Sequence, residues 1–228
     1  MMKIGVAIPC YDGHIQKLSL LLESIQAQTV IPDKVVVSCS STNHFEMSNK
    51  YAFPLEVMIT SEKLNAAQNR NKAISKLADM DYVTFMDADD VMHPQRIELL
   101  FKTIEQHGCD IILHNYQTIP FNDEHVFEQI KDEDIRVRTD SLIPSWTGCI
   151  THVRNYNDAI DKIHHSQSTV KQWILQKVRY PEEPEFYCRE DCIFCYRAFQ
   201  LPNIKHAYIA NELSYYSPSN TGGISSIS

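Results

Sequence analysis

The chain has 228 residues, of which 21 are Lys or Arg and 29 are Asp or Glu, so its formal charge is −8 at pH 7. A protein with this charge lacks the positive field that attracts nucleic acids and anionic membranes, and nucleic-acid binding is therefore not expected. The length and the 43% content of hydrophobic residues suit a globular domain, and no apolar run approaches the roughly 18 residues that an integral membrane helix needs.

The glycines and cysteines exclude several well-known sites. The six glycines stand at 5, 13, 108, 148, 222 and 223, so no G-x-G-x-x-G turn, P-loop or G-x-S-x-G elbow exists. A phosphate group must therefore be held by something other than a glycine-rich loop. The seven cysteines are odd in number and scattered, and the first residues do not read as a signal peptide. Free thiols in a reducing compartment are the better interpretation, and we predict a cytoplasmic protein.

The first half of the sequence alternates between two kinds of pattern. Short apolar runs rich in β-branched residues predict buried strands, and apolar residues three or four positions apart predict amphipathic helices. In chain order, the predicted elements are a strand at 3–8, a helix at 15–28, strands at 34–37 and 55–60, a helix at 66–77, a strand at 82–86, a helix at 94–108 and a strand at 110–114. This order predicts an α/β fold whose mostly parallel sheet is covered by helices on both faces.

The pattern is looser in the second half of the sequence. An acidic stretch at 122–134 predicts a solvated excursion. The further predicted elements are a strand at 145–153, helices at 155–164, 168–179 and 189–199, and a strand at 205–209. Internal repeats are absent from the sequence, and we expect one compact domain.

Polar clusters follow three of the predicted strands, at 9–12, 38–41 and 87–90. In an open α/β sheet, ligands bind at the carboxyl ends of the strands. Asp87 and Asp89 are two residues apart, so they point to the same side of an extended chain. Two carboxylates this close repel each other unless they share a cation, and Mg²⁺ or Mn²⁺ prefers oxygen ligands. Acidic residues also cap helices, so this pattern alone leaves capping and metal binding both open.

Two stretches of the sequence resemble a known family. The segments VAIPCYDG at 6–13 and NAAQNRNKAISKLADMDYVTFMDADD at 65–90 resemble glycosyltransferase family 2. In the second segment an Arg-Asn pair, an alanine-containing helix, a strand and a D-x-D-D sequence follow one another in the family's order. The resemblance is good over residues 3–115 and loose over the remainder. It implies the GT-A fold, a nucleotide-sugar donor and a Mn²⁺ or Mg²⁺ ion.

The resemblance also implies roles for residues of a donor-binding half at 1–115. The nucleotide would contact Pro9, Tyr11, Ser38, Arg70 and Asp87. Asp89 would bind the cation that bridges the donor's diphosphate, and Asp87 would contact the cation or the ribose. Family members often have Asp where Ser38 stands, to hydrogen-bond the uracil edge, so the serine leaves the nucleotide base open. A UDP-sugar is the first candidate for the donor, and GDP- and dTDP-sugars are the alternatives.

The remaining half, 116–228, would bind the acceptor and supply the catalytic base. The pair Glu190 and Asp191 resembles the family's Glu-Asp motif, whose Asp is the general base in inverting members. We therefore expect Asp191 to deprotonate the acceptor hydroxyl in a single displacement with inversion, with Glu190 as the second candidate. Trp146, Thr147 and Gly148 resemble the acceptor-side loop, and the acceptor would be a glycan or another hydroxyl compound. Helix capping by the acidic pair and a core position for Trp146 are the alternatives.

Other functions also fit parts of the sequence. Cys188, Cys192 and Cys195 have the spacing of the radical-SAM iron–sulfur motif, although they also fall on one face of a helix. A non-catalytic carbohydrate- or nucleotide-binding module would keep the same fold. A nucleotidyltransferase would share the sheet and Mg²⁺, but normally has a glycine-rich basic loop that is absent here. Four histidines lack zinc-binding spacing and are predicted to lie on the surface, namely those at 14, 93, 164 and 165.

Overall fold

The computed structural model describes residues 1–46, 50–118, 126–139, 141–145, 147–152 and 162–216. The helices are α1 (Ile15–Gln26), α2 (Ala66–Ser75), α3 (Arg96–His107), α4 (Gln172–Lys177) and α5 (Glu190–Phe199). The strands are β1 (Ile4–Tyr11), β2 (Lys34–Ser40), β3 (Leu55–Ile59), β4 (Tyr82–Phe85), β5 (Val91–Met92), β6 (Ile111–Thr118), β7 (Val137–Arg138), β8 (Leu142–Pro144), β9 (Ile150–His152), β10 (Thr169–Lys171) and β11 (His206–Tyr216).

One sheet of nine strands dominates the described part of the chain. Its order is β3-β2-β1-β4-β10-β6-β11-β5, and β7 pairs with β11. The pairs β1–β2, β2–β3, β1–β4 and β6–β11 are parallel. Strand β10 lies antiparallel between β4 and β6, so those two strands run in the same direction. The carboxyl ends of β1, β2, β3, β4, β6 and β11 therefore lie along one edge of the sheet, and the prediction of a mostly parallel α/β sheet is confirmed.

Helices cover both faces of this sheet, as the sequence predicts. Helices α1 and α3 pack their apolar residues into one hydrophobic cluster, and α2, α4 and α5 pack into a second. Strand β1 shows the division, because Val6 belongs to the first cluster and the next residue, Ala7, belongs to the second. In the described residues we find no helix with the length and apolar character that crossing a membrane requires.

Local sequence explains where helix α2 begins and how closely it packs. Asn65 Oδ1 accepts a hydrogen bond from Gln68 N at 2.8 Å, and Asn65 N donates to Gln68 Oε1 at 2.9 Å, which forms a capping box. Leu77, just after α2, packs closely against Gly5 of β1. A Cβ on Gly5 would lie only 2.7 Å from Leu77 Cδ2, so this close approach requires a glycine. The close approach of α2 to the sheet buries Arg70, which is 2% exposed.

The structure corrects the predictions in the second half. A single helix is predicted at 168–179, but the first residues form β10 and only 172–177 are helical. Three residues are too few to show an alternating pattern, and the conformation of β10 depends on its partners β4 and β6. The strand predicted at 145–153 is shorter and pairs locally with β8. The helix predicted at 155–164 lies mostly outside the described residues, and so does part of the acidic stretch at 122–134.

Candidate active site

A cleft of about 660 Å³ opens along the carboxyl edge of the sheet. Strand β2 lies on one side of β1 and β4 lies on the other, so the strand order reverses there. Open α/β sheets bind ligands at such a switch point. Residues from both predicted halves, 1–115 and 116–228, line the cleft. The first half contributes Asp87 and Asp89 after β4, and the second contributes Glu190 and Asp191 at the start of α5. The structure therefore brings the two predicted acidic motifs to one site.

Arg70 connects these two acidic motifs. Its Nη2 donates to Asp87 Oδ1 at 2.6 Å, and its Nη1 donates to Glu190 Oε1 at 2.7 Å. The Arg70 side chain is 3% exposed, and its Cζ lies 5.2 Å from the centroid of the Tyr180 ring. One buried cation thus neutralises two carboxylates and holds the loop after β4 against α5.

The Asp87 carboxyl is held in its ionised form. Burial by itself would raise its pKa. The electrostatic effects of Arg70 and His164 outweigh burial, so the pKa is lowered. A hydrogen bond from Ser166 acts in the same direction. Asp87 is therefore an anion at neutral pH, already paired with Arg70 through one of its oxygens.

Asp89 has a different electrostatic environment. Burial, followed by the negative charge of Asp90, raises the pKa of this carboxyl to about 6. His14 Nε2 lies 3.5 Å from Asp89 Oδ2, Lys17 Nζ lies 3.9 Å from the same oxygen, and both lower the pKa in part. The Asp89 side chain is 17% exposed and lines the cleft. Its negative charge is therefore only partly compensated by its neighbours.

The chemistry of this acidic pair fits a divalent cation that is shared with a ligand. In the described residues we find no group of three or more His, Cys, Asp or Glu side chains that could hold a metal ion. Mg²⁺ is commonly held by one or two carboxylates together with substrate phosphates and water. Asp87 and Asp89, which both line the cleft, are the residues that could hold such an ion.

The residues predicted to contact the nucleotide lie at different depths. Pro9 and Tyr11 line the cleft at the end of β1, and the Tyr11 ring, 39% exposed, lies 4.2 Å from the His14 ring between centroids. Ser38 is 1% exposed, donates to Asn69 Oδ1 at 2.9 Å and is absent from the cleft lining. Strand β2 continues past Ser38 to Ser40, so the residue that reaches the cleft from this strand end is Ser41.

Helix α5 brings the acceptor-side acidic pair to the cleft. Asp191 lies in its first turn, is half-buried, and its Oδ1 accepts a hydrogen bond from Cys192 N at 2.7 Å. Glu190, in contrast, is committed to the ion pair with Arg70. Of the two acidic residues, Asp191 is thus the one whose carboxylate is not bonded to that buried arginine. This difference favours Asp191 over Glu190 as the group that would accept a proton.

The segment predicted to bind an acceptor lies beside α5. Arg189 Nη2 donates to the Thr147 carbonyl, and a Cβ on Gly148 would lie 3.0 Å from Ile193 Cδ1. Neither Thr147 nor Gly148 is part of the cleft lining. Trp146 lies outside the described residues. Binding of an acceptor by this segment stays a prediction.

The three cysteines of the possible iron–sulfur motif do not form a cluster site. Cys188 is exposed, Cys192 is half-buried and Cys195 is buried in the core. As stated above, the described residues contain no suitable group of three ligands. The expectation that all three lie on one face of a helix is wrong for Cys188, which precedes α5 and has a φ of 67°; only Cys192 and Cys195 lie on that helix.

Sequence reasoning missed the contribution of histidine. His93 and His164 are 3% and 8% exposed, so the prediction of surface positions is wrong for them. His14, His164 and His165 line the cleft. Strand β10 is antiparallel, so the residues that precede it lie at the carboxyl edge of its neighbours. Recognising β10 was the one signal that would have placed 164–165 at the site.

A cleft at the switch point of a mostly parallel sheet is typical of α/β proteins that bind nucleotides. The chain belongs to glycosyltransferase family 2, because the family's sequence model, Glycosyl transferase family 2, matches residues 5–156. Among curated relatives, the glycosyltransferase GlyG of Streptococcus pneumoniae is 25% identical over 139 residues. The poly(ribitol-phosphate) beta-N-acetylglucosaminyltransferase TarS of Staphylococcus aureus is 28% identical over 120 residues.

The solved structures show the same fold. Residues 1–349 of S. aureus TarS, in complex with UDP-GlcNAc, match with a TM-score of 0.71 at 19% identity, covering 100% of this chain and 62% of that one. This likeness identifies the fold as GT-A. The sequence matches cover 59% of this chain and 46% of GlyG, and 50% of this chain and 21% of TarS. The chain thus spans half or less of these two relatives.

Proposed function

We propose that this protein transfers a sugar from a nucleotide-diphosphate sugar to an acceptor hydroxyl. The observation that carries the proposal is the meeting of two acidic motifs in one cleft at the switch point of the sheet, joined by Arg70. One motif, Asp87 and Asp89, suits a diphosphate and its cation. The other, Asp191 on α5, suits the removal of a proton from the acceptor.

We take a UDP-sugar as the donor. S. aureus TarS has been solved with UDP and with UDP-GlcNAc, and it has the same fold as this chain. The end of β1 offers Tyr11, an aromatic side chain exposed enough to pack against a base. Ser38 lies too deep to replace the uracil-binding aspartate of the family, so Ser41 and backbone groups near it would contact the base edge.

A Mn²⁺ or Mg²⁺ ion would be held by Asp89 with Asp87 beside it. When bound, such an ion stabilises the negative charge that develops on the leaving diphosphate. Within the chain itself, Arg70 keeps Asp87 ionised and fixed in position. Lys17 of α1 lies 3.9 Å from Asp89 and brings positive charge to the diphosphate region, whereas burial lowers the pKa of His14, which lies beside the same carboxylate.

The acceptor hydroxyl would lose its proton to Asp191. Its oxygen attacks the anomeric carbon, the bond from that carbon to the phosphate oxygen breaks, and the electron pair leaves with the nucleoside diphosphate. A base that acts on the face opposite the leaving group gives inversion in a single displacement. Glu190 would act indirectly, because its ion pair with Arg70 orients the first turn of α5.

A donor panel tests the proposal. UDP-GlcNAc, UDP-glucose, GDP-mannose and dTDP-glucose are incubated with the protein and Mn²⁺, with and without saccharide acceptors, and the released nucleoside diphosphate is measured. We expect release from a UDP-sugar that depends on active protein. Tight binding of UDP without release from any donor, under all acceptor conditions, would contradict transfer and favour the non-catalytic module.

A further inference from the structure

Three aromatic rings line the cleft at the end away from the nucleotide. Tyr116 lies near the carboxyl end of β6, Tyr216 at the end of β11, and His164 just before β10. We infer that these rings, called the aromatic wall below, form a subsite for the pyranose ring of a neutral saccharide acceptor. The inference rests on the proposed glycosyl transfer and specifies its substrate class.

The strand order places the aromatic wall on the acceptor side. Along the carboxyl edge, β2 and β1 come first, β4 with its acidic pair follows, and β10, β6 and β11 come last. A nucleotide over β1 and β2, with its diphosphate at Asp89, would direct its sugar towards β10 and β6. The aromatic wall therefore lies where the transferred sugar and the acceptor must meet.

The rings of the wall support one another in edge-to-face contacts. The centroid of the His164 ring lies 4.6 Å from that of Tyr116 and 5.3 Å from that of Tyr216, at interplanar angles of 63° and 78°. The two tyrosine rings lie 5.8 Å apart at 85°. Lys162 Nζ lies 5.4 Å from the Tyr116 centroid and covers part of that ring. The wall is thus a connected aromatic surface, not a set of separate side chains.

Buried polar groups fix His164 at the centre of this wall. Its Nδ1 lies 2.8 Å from Ser166 Oγ, and its Nε2 lies 3.5 Å from Asp90 Oδ2. Asp90, 1% exposed, also accepts a hydrogen bond from Gln167 Nε2 at 2.5 Å. Arg96 in turn donates to Gln167 Oε1 at 2.7 Å. A surface whose central ring is held this firmly loses little entropy when a ligand packs against it.

The charges around the wall favour a neutral ligand. The cleft residues that follow position 115 in the sequence include the acidic pair Glu190 and Asp191, and in the described residues none of them is Lys or Arg. Arg70 neutralises Glu190, and the charge of Lys162, which lies over the Tyr116 ring, offsets that of Asp191, so these groups give a phosphate no net attraction and suit a neutral sugar. The C–H bonds of a pyranose ring form an apolar face that packs on aromatic rings, and its hydroxyl groups can bond to Ser166 and the tyrosine hydroxyls. A flexible polyol lacks such a face.

Saturation-transfer NMR with methyl β-glucopyranoside and methyl N-acetyl-β-glucosaminide tests this inference directly. The protein is saturated with UDP and diamagnetic Mg²⁺, because Mn²⁺ would broaden the ligand signals, and ribitol 5-phosphate serves as the competing probe. We expect transfer to the ring protons of at least one pyranoside and weaker transfer to ribitol 5-phosphate. Tyr116→Ala should weaken pyranoside binding roughly tenfold, which is about 1.4 kcal/mol. Tyr116→Phe should retain most of it, because the ring is kept.

Tyr196→Ala, which changes a tyrosine of α5 outside the cleft lining, is the matched control and should bind pyranosides like the unchanged protein. UDP affinity is measured for each variant, so that a misfolded protein is recognised. Absence of pyranoside binding in the UDP-bound protein, or equal binding by Tyr116→Ala, would overturn the inference. If ribitol 5-phosphate binds instead and UDP-sugar turnover persists, the proposed transfer stands while the saccharide subsite is wrong.

Discussion

Arg70 and Glu190 are 120 positions apart in the sequence, and their side chains meet at 2.7 Å. The same guanidinium bonds Asp87 at 2.6 Å, so a single residue of α2 links the loop after β4 to the first turn of α5. This contact couples the donor side of the cleft to the residue that we propose as the base. Its removal should therefore affect stability as well as activity.

Arg70→Met should destabilise the protein strongly. The substitution leaves the carboxylates of Asp87 and Glu190, which are mostly buried, without their cation. Breaking a buried ion pair from one side typically costs about 3–5 kcal/mol. We expect the free energy of unfolding in urea to fall by about that amount. Arg197→Met, which changes an exposed arginine of α5, is the control. Similar losses of stability in both variants would disprove the proposed role of Arg70 in holding the loop after β4 to α5. A loss below about 1 kcal/mol for Arg70→Met would disprove it as well.

Asp89→Asn should stabilise the protein at neutral pH. Burial and Asp90 raise the pKa of Asp89 from 3.8 to about 6, so the folded protein holds this proton more tightly than the unfolded chain does. The ionised carboxylate therefore costs stability above pH 6, and the cost disappears as the pH falls to the ordinary pKa. At about 1.4 kcal/mol per pKa unit, the full cost is roughly 3 kcal/mol.

The measurement is urea denaturation of both proteins between about pH 4 and pH 8. The advantage of Asp89→Asn should be nearly constant between about pH 8 and pH 7 and should shrink between about pH 6 and pH 4. Asp79→Asn, at an exposed position, should show no such trend. A variant that is less stable than the unchanged protein at pH 8 would show that His14 and Lys17 compensate Asp89 fully.

Asp191→Asn should lower kcat and leave donor binding nearly intact. The amide cannot accept the proton of the acceptor hydroxyl, and loss of a general base typically costs about 10²–10⁴-fold. Steady-state kinetics with the donor found in the panel, together with UDP affinity, separate the two effects. Glu185→Gln changes an exposed carboxylate ahead of α5 and should keep normal turnover. Near-normal kcat in Asp191→Asn would remove Asp191 from the role of base.

The alternation of elements in the first half was predictable because each strand and helix there is long enough to show its own period. The β1 to β6 core matches its predicted elements to within a few residues at each end, apart from the two-residue strand β5, which was not predicted. Strand β10 was missed because three residues carry no periodicity, and its position between β4 and β6 depends on tertiary contacts. That one omission also hid the location of His164.

The acidic residues that line the cleft could be picked out from the sequence, Asp87 and Asp89 by their local spacing and Glu190 and Asp191 by the family resemblance. The ion pair between Arg70 and Glu190 was not predicted, because nothing in the sequence near Arg70 indicates so distant a partner. The depth of Ser38 was missed for a related reason, because β2 runs three residues further than its apolar run and so carries Ser38 below the cleft.

Calorimetric titration of UDP, with and without Mn²⁺, tests the central claim most directly. The protein should bind UDP at least about tenfold more tightly with Mn²⁺, and Asp89→Asn should lose this gain while Asp79→Asn keeps it. Equal UDP affinity in the presence and absence of Mn²⁺, or a full Mn²⁺ effect in Asp89→Asn, would contradict the account of a cation-assisted nucleotide-sugar site.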